Sequence, residues 1–272
     1  MTKEACAALA STIETSPVPI SSVSIASSGK LLLRTLSSLK HQGAAFAAHK
    51  SLEQICVVCM QSNLTMSMPL EWALYLLREI SAKEEVRDST LRRSTGIALG
   101  FLSVMRSEPP STIAPRTTCP FVLSNLIRLS LPPKSEVESK FKKVSLGLAD
   151  TSFVFPKILN QSHDLKSVFV GDEEYKIRSR VHALNILRLA ILDAPLASEI
   201  RKFVGDGIIS ALLGYNDKSW AVRNSSTMVF SAAMLRVIDA DKNASSSEHK
   251  SDYISLKVSL SSKIYYQSGI KL

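Results

Sequence analysis

Five arginines carry most of the chemical potential in this sequence, and they recur at related places. Leu91-Arg92-Arg93-Ser94, Ile177-Arg178-Ser179-Arg180 and Val222-Arg223-Asn224-Ser225 each set an apolar residue, then an arginine, at the start of a long apolar helical run. A guanidinium presents five donors in a fixed fork, which suits a carboxylate or a phosphate. Two uses follow. An Asp in the turn before a helix can bond the arginine and tie neighbouring helices together, a role that suits Asp88 with Arg92 and Asp217 with Arg223. Alternatively, a row of helix starts offers arginines and free N–H groups together to phosphates. The residues leave both open. Arg93 and Arg180 have no counterpart in the third copy, which carries Asn224 and Ser225 there, so they are the expected solvent-facing pair.

The other candidates for chemistry read as structural. Cys56-Val57-Val58-Cys59 has no second pair to complete a zinc site and lies inside an apolar helical run, away from any strand–helix junction. Gly205-Asp206-Gly207 lacks the third glycine and preceding strand of a dinucleotide loop and reads as a helix break. Ser28-Gly29-Lys30 lacks the upstream glycine of a phosphate-binding loop. His182 reads as a packed or capped residue, and Trp220 as core or as stacking within the helices ahead of the rival reading, a platform for a base. Gly96 and Gly100, four apart, allow close helix packing. No catalytic residue, cofactor or metal site is expected.

The elements that must position the arginines are helices. Arg92 to Arg178 is 86 residues and Arg178 to Arg223 is 45; with two units in the first gap, the period is about 43–45. That falls within the range of HEAT or armadillo repeats, so the expected fold is an all-α solenoid. Residues 1–28 read as a short helix followed by a flexible Ser/Pro segment, and 29–131 as helical repeats. Helices are expected over 30–40 and 44–60 with Gly43 between them, over 69–80 on a Trp72, Leu76, Ile80 stripe, to about Ser107 from a cap at Asp88 or Ser89, and over 120–131. Residues 132–175, with Lys and Glu alternating and little periodicity, read as a long loop. Repeats resume over 176–238, the last helix running from Trp220 to Ile238, and 239–272 reads as a disordered Ser/Lys-rich tail.

The chain has 272 residues, 45% apolar, enough for a core, and a net charge of +9, which favours anionic partners. No continuous apolar stretch marks a secretory signal or a membrane span. Four cysteines do not make a disulfide framework in a chain of this length, so the expected setting is the reducing cytosol or nucleus.

Three ordered segments carry a resemblance. Arg92-Arg93-Ser94-Thr95-Gly96-Ile97 with Ser107-Glu108-Pro109, then Val181-His182-Ala183-Leu184-Asn185-Ile186-Leu187-Arg188, then the run from Ser219 to Ser231, resemble the thyroid adenoma-associated protein family over about residues 70–237. Thr95 stands where the family has alanine. The family's chains are much longer, so the sequence looks like one stretch of a larger protein. The resemblance implies a cytosolic helical-repeat scaffold that partners a tRNA 2′-O-methyltransferase acting at position 32 of the anticodon loop. Its implied partners are that catalytic subunit and tRNA; membrane insertion and DNA are not expected. The sequence agrees that the chain is not the catalyst, since it offers no glycine loop of a nucleotide-binding βαβ unit. Arg92, Arg93, Arg178, Arg180 and Arg223 are the candidates for phosphate contact or for the ladder beneath it. A protein-interaction scaffold without RNA contact is the alternative.

Overall fold

Apolar residues three and four apart dominate the sequence, and every regular element among the described residues is helical. The computed structural model describes residues 3–16, 20–38, 41–81, 94–108, 116–132 and 173–243. The helices are α1 (Lys3–Thr15), α2 (Ser22–Ser38), α3 (Gln42–Cys59), α4 (Met68–Ser81), α5 (Ser94–Met105), α6 (Thr118–Ser130), α7 (Glu173–Leu192), the short α8 (Ala197–Ile200) running into a 3₁₀ turn (Arg201–Phe203), α9 (Val204–Gly214) and α10 (Trp220–Asn243). The all-α expectation holds. No helix among the described residues is long and apolar enough to cross a membrane.

Several boundaries differ from expectation for identifiable reasons. The Ser-rich stretch read as a flexible connection contains the end of α1 and the start of α2. Ser21 caps α2, its Oγ accepting the Ser24 N–H at 3.2 Å, and Ser28 donates back to the Ser24 carbonyl at 2.9 Å. Serine thus starts this helix and does not loosen it. Gly43 lies in the first turn of α3, not between helices. Gly205-Asp206-Gly207 does not break a helix but forms the first turn of α9, where the helix dipole favours the Asp206 carboxylate. Residues 239–243 continue α10 beyond Ile238. Asp88, Ser89, the bulk of the 132–175 stretch and residues 244–272 lie outside the described residues.

One apolar core runs from Cys6 in α1 to Ala233 in α10. The Trp72, Leu76, Ile80 stripe of α4 is buried as its spacing predicts. Gly29 finds its reason here: a β-carbon on it would overlap the Trp72 ring. Gly96 is a second close approach, since a β-carbon there would overlap the Leu36 carbonyl oxygen of α2. Gly100, one turn on, faces the Leu76 and Leu33 methyls at 3.4–3.6 Å. The paired glycines therefore serve close helix packing, as expected.

The three helices marked by the arginine repeat are α5, α7 and α10. They are successive neighbours: α5 packs on α7, and α7 packs on α10. The other helices flank this row, with α2, α3 and α4 against α5, α6 against α7, and α9 against α10.

Candidate functional site

The turn before α10 is built around Asp217. Its Oδ1 accepts the Ser219 N–H at 2.8 Å, and its Oδ2 pairs with Nη1 of Arg180. Arg180 also donates Nε–H to the Ser130 carbonyl at the end of α6, at 3.2 Å. One guanidinium on α7 thus joins α6 to the α9–α10 turn. Arg223 closes the same turn differently: its Nη1 donates to the Asp217 and Lys218 carbonyls at 2.7 and 2.9 Å.

This corrects two expectations. Arg180, expected to face solvent, is only 4% exposed. Burial of its charge is offset by the Asp217 carboxylate and the helix-end carbonyl. The Asp217 carboxylate, expected to bond Arg223, bonds Arg180, and Arg223 takes backbone oxygens. Arg178 is half-buried and engaged within the chain. Arg92 and Arg93 lie outside the described residues. The structure therefore brings Arg180 and Arg223 together at one turn.

Two further polar clusters escaped sequence reasoning. Arg106, just after α5, donates Nε–H to Asp193 at 3.1 Å, pairs with it a second time through Nη2, and reaches Glu53 of α3 at 3.2 Å. Arg236 of α10 donates to the Ile191 and Asp193 carbonyls at 2.5 and 2.6 Å. The end of α7 is thereby held from both sides. Glu108 caps α6: its carboxylate accepts the N–H groups of Thr117 at 2.6 Å and Thr118 at 3.0 Å, and both threonine hydroxyls at 2.8 Å. The contacts of Arg106 and Asp193 span 87 residues, so no local spacing announces them. Glu108 lies within a family-like motif, but its capping role depends on where the chain returns.

The remaining candidates settle as packed groups. His182 is buried, and desolvation, helped by the Arg178 charge, pushes its pKa down to about 4. His49 is held between the Leu99 carbonyl at 3.0 Å and the Ser103 hydroxyl at 2.7 Å, and burial lowers its pKa too. Cys56 and Cys59 are buried free thiols. Desolvation raises Cys59 to about 12 and Cys56 well above the ordinary thiol range, so neither is a reactive thiolate at neutral pH.

Trp220 departs most from expectation. It is 69% exposed, neither core nor stacked within the helices. The inward stripe of α10 runs through Val222, Val229 and Ala233; Trp220, Asn224 and Met228 form the opposite, exposed stripe at four-residue spacing. That stripe borders an open groove of about 320 Å³. Ala98 of α5 and Asn185 and Arg188 of α7 supply further parts of its wall, so all three helices of the arginine repeat line it. Among the described residues no carboxylate lines the groove. Asn185, Arg188 and Asn224 make no side-chain hydrogen bond or ion pair among the described residues. The groove therefore offers an aromatic face, one uncommitted guanidinium and two uncommitted amides.

The family model described as THADA/TRM732, DUF2428, matches residues 1–221. The match includes the N-terminal helices, which the three motifs did not reach. The chain is 29% identical over 221 residues to the Gallus gallus protein named tRNA (32-2'-O)-methyltransferase regulator THADA, covering 79% of this chain and 9% of that one. The Homo sapiens protein of the same name is 27% identical over 213 residues, 77% of this chain and 9% of its own length. The Drosophila melanogaster protein is 25% identical over 222 residues, 79% and 10%. The chain thus spans about a tenth of the length of these relatives. No solved structure matches it. With the family match running from α1 through the buried Arg180–Asp217 junction to the start of α10, the chain belongs to the THADA/TRM732 family.

Proposed function

We propose that this chain is a non-catalytic scaffold within a regulator of tRNA 2′-O-ribose methylation at position 32 of the anticodon loop. The observation that supports this reading most is the match over residues 1–221 with a family whose relatives carry that regulator name. The helices stack as a HEAT-type solenoid in the cytosol, with α5, α7 and α10 as one row. The partners are the separate methyltransferase and its tRNA. Holding both on one surface raises the local concentration of the target ribose at the enzyme's active site. Among the candidate arginines, Arg180 and Arg223 belong to the ladder beneath that surface, a role supported by their bonds to the Asp217 turn.

The test adds the chain to the methyltransferase and an unmodified tRNA transcript and follows methylation of ribose 32. The expected result is faster methylation and co-purification of the enzyme. An unchanged rate with no co-purification overturns the proposal. Repeating the co-purification after ribonuclease treatment separates an RNA-bridged assembly from the protein-only scaffold.

A further inference from the structure

We infer that the groove along α5, α7 and α10 holds an unstacked nucleotide of single-stranded RNA, its base against Trp220 and its phosphate against Arg188. The inference rests on the tRNA reading above and gives it a place on the molecule.

Three features carry it. First, an indole 69% exposed at the edge of a groove is a stacking platform. Every base has a π-face, and stacking on an aromatic side chain is the common device of single-strand binders. A base within a duplex cannot present that face, so the occupant is single-stranded. Second, the charge has one sign. Among the described residues Arg188 has no counter-ion and no carboxylate lines the groove, and the whole chain carries +9. The nearby Asp217 carboxylate is already taken by Arg180. An anionic occupant restores the balance. Third, Asn185 and Asn224 line the same space from α7 and α10, with no side-chain partner among the described residues. An amide offers donor and acceptor together, which matches the edge of a base. An apolar peptide would leave these three polar groups desolvated and unpaired, so a protein segment is the poorer occupant.

The experiment titrates the 272-residue chain with a twelve-nucleotide oligouridine and follows tryptophan emission. Of the two tryptophans, Trp72 is 3% exposed and Trp220 69%, so quenching reports the groove. The expected result is quenching by the single strand, little by a fully paired duplex of equal length, and a shallower salt dependence for Arg188→Ala. Trp220→Ala weakens binding, measured by anisotropy of labelled RNA, by about tenfold, and Trp220→Phe recovers most of it. Asn224→Asp, at an exposed position that leaves packing alone, places a carboxylate in the groove and also weakens binding. Parent-like RNA affinity in Trp220→Ala and Asn224→Asp overturns the inference. So does loss of methyltransferase co-purification in Trp220→Ala with RNA affinity unchanged, which assigns the groove to a protein segment. The two readings fail separately. RNA binding at the groove without faster methylation sinks the regulator proposal alone; faster methylation untouched by Trp220→Ala sinks the groove alone.

Discussion

Arg180 and Arg188 sit eight residues apart on α7 and live in opposite conditions. Arg180 is buried, with Nη1 on the Asp217 carboxylate and Nε on the Ser130 carbonyl. Arg188 stands in an open groove with no partner among the described residues. The same contrast separates their surroundings. Around Arg180, Arg223, Arg106 and Arg236 the chain satisfies charge internally and joins distant segments; around Arg188 and Trp220 it leaves donors and an aromatic face unfilled. The difference shows that an arginine's type and helix position do not decide its job. What decides is whether its charge is already paired within the fold.

The strongest test of that contrast is Arg180→Ala. It strands a buried Asp217 and is expected to cost about 3–5 kcal/mol in urea unfolding. Adding Asp217→Asn should recover part of the loss, because the orphaned charge is gone. A loss below about 1 kcal/mol would place Arg180 with Arg188 and dissolve the contrast.

Next comes pH. His182 is neutral in the fold, with its pKa near 4 against 6.5 for an unperturbed histidine. Between those values the unfolded chain binds the extra proton, so stability is intact above pH 6.5 and falls as pH drops towards 4. The expected loss across that window is roughly 3 kcal/mol. The lowered pKa of His49 acts with the same sign. His182→Leu should flatten the dependence between pH 6.5 and 5; an equally steep curve in that variant moves the sensitivity elsewhere.

Glu108→Ala removes the cap of α6 and should cost about 2 kcal/mol, read as a lower urea midpoint with an unchanged slope. At the small end, Arg188→Ala should change stability by less than about 0.5 kcal/mol. A larger loss would reveal a structural partner and break the comparison from the other side.

Much of this architecture was legible in the sequence. Spacing alone located the buried stripe of α4, the paired glycines of α5 and the helices of the arginine repeat. The partners of the arginines were not legible. Successive helix positions turn by about 100°, so Arg178 and Arg180 point to nearly opposite sides. Which of them meets Asp217 depends on the packing of α6 and α9, not on local spacing. Trp220 misled for a related reason: at the first position of α10 it lies off the inward stripe, and a helix start supplies too few residues to fix the phase. The family motifs were legible as motifs, while the work of one of their members, Glu108, appears only where the chain comes back to it.

Glu108 also acts as a clasp between two segments of the chain. It stands at the end of α5's extension and holds the first N–H groups of α6, so one side chain joins the two helices through space. A protease cut between residues 108 and 116 should therefore leave two pieces that stay together.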